Sequence, residues 1–341
     1  MEFAMNNSLK ILLAHGSGGK LSHDLISNTI LPALSNPSLN TLNDSAVLTI
    51  GTENIAFTTD SYVIDPIFFP GGDIGRLAVC GTVNDLSMVG AIPLFLSLGI
   101  IMEEGFPITD LEKILNSIQS TAGEAQVTVV TGDTKIVPRG KADKIYINTA
   151  GIGRIPEGIT IGGECACPGD KILINGTMGD HGIAVLSKRE GLQFEAPVVS
   201  DAAPLNEIIH ELLSSGIRIH VLRDPTRGGV VSSLTEIAKQ SQIGIQLFED
   251  ALPIHPGVSA ACELLGMEPL YIANEGKFIA VIDPHDETQA LAMMHSHKLG
   301  KNAAVIGEVV SESKGRVLLK TKFGTTRLLD LFMGEQLPRI C

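Results

Sequence analysis

Strand-like and helix-like segments follow one another up to about residue 155, give way to a glycine-rich connection over residues 151–169, and then begin again. A pattern that restarts implies two packing units, because each set of elements must bury its own apolar faces. Before the connection, residues 54–59, 127–131 and 144–150 are rich in β-branched side chains and are predicted strands. Residues 74–88 and 111–125 are predicted amphipathic helices, with Asp73 and Asp110 placed to cap their free N–H groups. Beyond it, residues 171–175, 277–282 and 303–310 are predicted strands, and 183–190, 205–213, 230–240 and 287–299 predicted helices. The expected division is 1–155, 165–325 and a short mobile tail over 330–341, in which Gly334 and Pro338 resist any helix. Strands and helices are mixed rather than strictly alternating, so α+β stands beside a doubly wound α/β sheet as a reading.

Composition narrows the partners. The chain has 341 residues, 44% apolar and 18% charged, which is ample for two cores. Its 25 Lys+Arg against 38 Asp+Glu give −13, and this argues against a nucleic-acid footprint, which needs clustered cations. A phosphorylated small molecule stays open, because carboxylates hold the Mg²⁺ that accompanies it. No apolar run approaches the ~18–20 residues needed to span a bilayer. Residues 94–102 are apolar but stop at Glu103-Glu104, and residues 1–10 lack the apolar stretch of a signal peptide. A cytoplasmic protein without membrane or nucleic-acid partners is expected. Cysteines stand at 80, 165, 167, 262 and 341, an odd set without a disulfide framework. Cys165 and Cys167 make a C-x-C pair with no second pair to complete a zinc site.

Five segments carry candidate chemistry. His15-Gly-Ser-Gly-Gly-Lys20 exposes successive backbone N–H groups that can cradle phosphate oxygens, with Lys20 as a point charge; a flexible loop is the plain alternative. Asp44, Asp60, Asp85 and Asp224 stand at strand or turn ends or, for Asp85, inside an otherwise apolar helix. Singly each reads as a turn or cap residue, but as a set they suit Mg²⁺ and substrate phosphates. A buried Asp85 is expected to need a cation partner. Thr131-Gly-Asp-Thr-Lys135 places Asp133 and Lys135 after a strand, where catalytic or merely solvated groups project. Ala273-Asn-Glu-Gly-Lys277 offers Glu275 as a general base, or is an ordinary solvated turn. Last, Cys341 ends the chain; a tail of ten residues reaches at most ~35 Å, so its thiol can visit more than one place unless the end is simply frayed.

Taken together, the glycine-rich loop, Thr58-Thr-Asp-Ser-Tyr-Val-Ile-Asp-Pro-Ile-Phe-Phe-Pro-Gly-Gly-Asp-Ile-Gly75, Ala78-Val-Cys-Gly-Thr-Val-Asn-Asp-Leu86, Thr131-Gly-Asp-Thr-Lys135 and terminal Pro338-Arg-Ile-Cys341 resemble the HypE family of hydrogenase maturation proteins. That family lies in the superfamily of aminoimidazole ribonucleotide synthetase, selenophosphate synthetase and thiamine monophosphate kinase. The resemblance covers the chain after about residue 10. It implies a two-domain α+β, PurM-like architecture: an N-terminal domain forming a dimeric β-barrel with ATP near the interface, a C-terminal α/β sandwich-like domain, and a flexible C-terminal tail. It implies that Cys341 receives a carbamoyl group from HypF. ATP-dependent dehydration of the thiocarboxamide then gives a thiocyanate, whose cyano group passes to iron on a HypC–HypD complex. By the same resemblance, Asp44, Asp60, Asp85 and Asp224 hold Mg²⁺, and Gly16, Ser17, Gly18, Gly19, Lys20 and Asp133 bind nucleotide. Cys341, Lys135 and Glu275 carry the catalysis, with Glu275 as base. A non-catalytic carrier presenting a modified Cys341 is the alternative, as is another ATP-using member such as a selenophosphate synthetase-like enzyme. Against the latter, no Cys stands in the glycine-rich loop. Asn43 departs from the superfamily's paired acids and removes one charge beside Asp44.

Overall fold

The β-branched runs do form strands, and they assemble into two sheets. A computed structural model describes residues 10–192, 197–332, 337 and 339–341. Gly334 and Pro338 lie outside the described residues. The first unit contains β1 (Ala46–Ile50), β2 (Glu53–Tyr62), α1 (Ile74–Met88), β3 (Ile92–Glu103), α2 (Ile108–Glu124), β4 (Thr128–Val137) and β5 (Ile145–Arg154). Their sheet runs β1-β2-β5-β3-β4. Every pair is antiparallel except β3 and β4, whose parallel register is made possible by the α2 crossover. On β5 buried and less buried residues alternate, the period expected of a strand with one covered face. β4 is the sheet edge and is exposed almost throughout.

α1 is buried on nearly every side because it lies between this sheet and the second unit. Asp73 caps it, accepting from the N–H groups of Gly75 (2.7 Å) and Arg76 (3.1 Å). Asp110 does not cap α2: Pro107 takes that position, and Asp110 falls in the first turn, 2.8 Å from Lys113. The apolar run at 94–102 proves to be the centre of β3, a length too short for a membrane but right for a strand packed against two neighbours.

The second unit contains β6 (Lys171–Ile174), α3 (Asp180–Glu190), α4 (Asn206–Ser214), β7 (Ile219–Arg223), α5 (Gly229–Gln240), β8 (Gly244–Phe248), α6 (Pro256–Leu265), β9 (Ile279–Ile282), α7 (Glu287–Ser296), β10 (Ala304–Val310), β11 (Val317–Lys320) and β12 (Thr326–Leu329). Their order is β12-β11-β8-β10-β6-β9-β7, a mixed sheet in which β8 and β11 run parallel. One face packs on Val230, Leu234 and Ile237 of α5, the other on Ile208 and Leu212 of α4 and Met294 of α7. The two units are joined through α1, where the Asn84 amide accepts from Leu205 N–H at 2.8 Å and donates to Ala203 O at 3.1 Å.

The chain end is not frayed. Val63 N–H donates to Cys341 O (3.0 Å), Asp65 N–H donates to Arg339 O (3.3 Å), and the His181 ring meets Ile340 O at 2.7 Å. Arg189 also donates to Arg339 O, so the last residues follow the backbone of residues 63–65 and enter the space between the units.

Candidate functional site

That space is a cleft of about 700 Å³. Five of the carboxylates lining it are delivered by different elements: Asp44 by the turn before β1, Asp60 by the end of β2, Asp85 by α1, Asp224 by the residue after β7, and Glu275 by the turn before β9. Cys341 reaches the same cleft from the tail. The four aspartates, the glutamate and the terminal thiol singled out in the sequence are therefore brought together by the fold.

The electrostatics of the cleft are unbalanced. Asp44 has a cation, Arg223, at 2.7 Å, and Arg223 is itself only 4% exposed. Among the described residues Asp85 makes no ion pair, and Arg227 is the cation that acts on it from a distance. Its carboxylate accepts from Thr58 Oγ1 at 2.8 Å, and the acids that act on it are Asp224, Asp60 and Asp44. Burial first, then those three charges, push the Asp85 carboxyl well above the usual carboxylate range. Asp224 is raised well above that range by burial and Asp44. Glu275 is raised by burial, Asp224 and Asp201, and its Oε1 has no hydrogen-bond partner among the described residues. Asp60 is also raised by burial, against the pull of Arg227. Burial pushes the Cys341 thiol up to about 12 while Arg227 acts in the opposite direction. A set of oxygen donors that repel one another, with one orphaned oxygen, fits a hard divalent cation such as Mg²⁺.

The glycine-rich loop borders the cleft rather than lining it. Gly18 has φ +76°, and a Cβ there would lie 2.6 Å from the Arg227 backbone, so only glycine lets the loop close on the turn that starts α5. Ser232 Oγ donates to Gly18 O at 3.0 Å, and Gly18 N–H is taken by Ser22 Oγ at 2.9 Å. Gly16, Ser17 and Gly18 face smaller hollows shared with Arg227. Lys20 points to a separate hollow beside Lys239 and Asp330, not to the carboxylates. Asp133 and Lys135 are not brought to the cleft of their own chain either. They pair with each other at 2.6 Å on β4, both about two-thirds exposed.

Three cleft residues were missed in the sequence. Arg223 ends a strand, β7, that no predicted element covered, although it adjoins Asp224 in Arg223-Asp-Pro-Thr-Arg-Gly-Gly229. Thr58 looked like one more β-branched strand residue, and Glu236 like one more polar position on a helix. Asn43, the uncharged departure, accepts from Gly163 N–H at 3.2 Å and so ties the connection to the first unit. Lys277, read as a solvated turn lysine, is buried and ion-paired with Asp201 at 3.0 Å.

Residues 42–155 match the N-terminal domain of the AIR synthase related proteins and 167–320 the C-terminal domain of that family. The chain is 48% identical over 333 residues to the carbamoyl dehydratase HypE of Rhizobium leguminosarum bv. viciae, covering 97% of this chain and 95% of the relative. It is 48% identical over 343 residues to that of Escherichia coli K12, covering 99% and 100%. Among solved structures, a HypE–HypF complex superposes with TM-score 0.87 at 49% identity, over 90% of this chain and 99% of the other. HypE in complex with ATP superposes with TM-score 0.83 at 50% identity, over 97% and 100%. The chain belongs to the HypE family of carbamoyl dehydratases.

Proposed function

We propose that the chain dehydrates a thiocarboxamide on its own Cys341 to a thiocyanate at the expense of ATP, and so supplies a cyanide ligand for a [NiFe]-hydrogenase iron. The observation that carries this reading is that Cys341 is seated in the cleft where Asp44, Asp60, Asp85, Asp224 and Glu275 converge. A carrier that only presented its terminal thiol would gain nothing from burying it among acids. The names of the relatives support the same activity, as does the ATP bound to a HypE of 50% identity.

Asp44, Asp60, Asp85 and Asp224 would hold Mg²⁺, whose charge would offset the burial that raises all four carboxyls and the repulsion that adds to it at Asp85 and Asp224. Bound Mg-ATP supplies the phosphoryl group that makes an amide oxygen able to leave. The protein's part is placement and proton transfer. The tail clasp at His181, Arg189 and Val63 holds the Cys341 adduct in the cleft. Glu275, with its free oxygen and raised pKa, accepts the N–H proton lost in nitrile formation. Arg227 bears on both Cys341 and Glu275 and favours negative charge there. Gly16, Ser17, Gly18, Gly19 and Lys20 would close over the nucleotide from the cleft's border.

A buried thiol with a pKa of about 12 is a poor nucleophile, so carbamoylation by a HypF-type donor calls for the tail to leave the cleft and return. HypC–HypD would take the cyano group from the same exposed position. A homodimer through the β4 edge would cover that strand and extend the first sheet toward a shared barrel. Asp133 and Lys135 lie on this edge, so they can serve a cleft only if a partner copy brings them there. The decisive experiment is intact mass of the carbamoylated chain before and after Mg-ATP. Loss of one water per Cys341 adduct supports the reading, and an unchanged mass with ATP bound supports the carrier.

A further inference from the structure

Cys165 and Cys167 have no part in the cleft. They sit in the connection between the units, and the C-x-C pair lacks half of a metal site as sequence. The fold supplies the other half. Cys167, Asp170 and His220 present a thiol sulfur, a carboxylate oxygen and a ring nitrogen that all lie within 4.8 Å of one another. Asp170 is 3% exposed, and its Oδ2 is fixed between Cys167 N–H at 2.8 Å and His220 Nδ1 at 2.7 Å. The connection is held on the strand that carries His220, since Gly162 N–H donates to His220 O (3.2 Å) and Cys165 N–H donates to Gly162 O (3.0 Å). Cys167 Sγ donates to the Cys165 carbonyl at 3.6 Å, so the Cys165 backbone borders the cluster while its thiol is not among the three donors.

We propose that Cys167, Asp170 and His220 bind a thiophilic divalent transition metal of the Zn²⁺ class, with the neighbouring Cys165 thiol turning in as fourth ligand. Sulfur, imidazole and carboxylate are the ligand types Zn²⁺ takes, and tetrahedral ligands around it lie about 3.5 Å apart, inside the spacing already present. The converging acids of the cleft are hard oxygen donors, so the two sites favour different ions. Binding involves no redox change. The metal replaces the thiol protons of Cys165 and Cys167 and the proton shared by His220 and Asp170, and these go to solvent. His220 lies three residues before Arg223 and four before Asp224 on β7. A metal here would therefore fasten the connection to the strand that delivers both residues to the cleft.

The test uses the full chain, reduced and stripped with a chelator, then titrated with Co²⁺ as a spectroscopic probe and with Zn²⁺ against a chromophoric chelator. One equivalent of Co²⁺ with a thiolate-to-cobalt charge-transfer band, displaced by Zn²⁺, is expected. Cys167→Ser, at an exposed position that tolerates the change, abolishes the band. It also weakens Zn²⁺ by at least the roughly 10–100-fold that even outer-shell substitutions cost. Cys165→Ser lowers the band's intensity, and Asp60→Asn in the cleft leaves it unchanged. Zn²⁺ affinity equal in the wild type and Cys167→Ser, or Co²⁺ binding without a sulfur band, overturns the site. A full-intensity band in Cys165→Ser overturns the fourth ligand.

Discussion

Two buried acidic clusters meet at residue 275 and are treated in opposite ways. On one side Asp201 accepts from the backbone N–H groups of Glu275 (3.2 Å) and Gly276 (3.1 Å) and from Lys277 Nζ (3.0 Å), with Asp180 3.9 Å from the same lysine. Burial pushes the Asp201 carboxyl up, but Lys277, His181 and these hydrogen bonds outweigh it and hold the group below the usual carboxylate range. On the other side Asp85, Asp224 and Glu275 are raised well above that range by burial and then by neighbouring acids: Asp224 for Asp85 and Glu275, and Asp44 for Asp224. Where a carboxylate fixes a turn, the chain brings its own cation. Where carboxylates face the cleft, Arg223 and Arg227 offset only part of the negative charge. The turn holding Glu275 in place thus belongs to the first cluster, while its side chain belongs to the second.

Substitutions should separate the two. The largest effect is expected from Cys341→Ser, which removes the atom that carries the substrate: no ATP-dependent water loss should be seen by intact mass, with the fold unchanged by circular dichroism. Next, Asp85→Asn should slow dehydration on the order of 10²–10³-fold, the scale of losing one electrostatic contact in a catalytic site. Its melting temperature without nucleotide should stay level or rise, because a repelled buried acid has been removed. Lys277→Met should do the reverse of that stability pattern. Breaking a buried pair costs about 3–5 kcal/mol, read by denaturant unfolding. If Asp85→Asn destabilises the free protein as much as Lys277→Met, the distinction between the clusters fails.

The pH dependence follows with opposite signs. The cleft acids have raised folded pKa values, so their contribution is present below about 4, the unfolded value, and is lost as pH climbs through the raised values. Asp201 is lowered, so its contribution is present above about 4 and is lost as pH falls through its depressed value. Melting curves across pH should show the first loss relieved by Mg²⁺ and the second indifferent to it. The smallest effect on stability is expected from Lys135→Ala, since the exposed pair with Asp133 is screened by solvent. A fall in dehydration rate without a shift in melting temperature would sharpen the view that Lys135 works across a dimer.

Much of the site was legible because its residues are expensive to misplace. Asp85 inside an apolar helix announces itself, and Asp224 beside Arg227-Gly-Gly229 does so through turn chemistry. What stayed hidden depends on pairing at long range. The expectation that Asp85 needs a cation partner is met by no ion pair among the described residues, because charge balance is set by what converges from separate elements, Arg227 among them. Arg223 was missed since five-residue β7 has no signal of its own; its register comes from β9. Lys277 looked solvated because Asp201, its partner, lies 76 positions away in sequence. The cap at Asp110 was misplaced by one turn, since Pro107 competes for the same role. Lys135 and Asp133 were expected in a loop after a strand, yet the strand continues through both to Val137 and forms the sheet edge. The seating of Cys341 rests on backbone hydrogen bonds to residues 63–65, which no side-chain pattern records.

The central claim is that the cleft acids are only partly compensated because Mg²⁺ joins them with the nucleotide. Calorimetric titration of ATP into the wild type and Asp85→Asn, each with and without Mg²⁺, tests it most directly. The expected result is tight binding by the wild type that depends on Mg²⁺, and loss of most of that dependence in the variant. Equal Mg²⁺ dependence in both proteins would contradict the account.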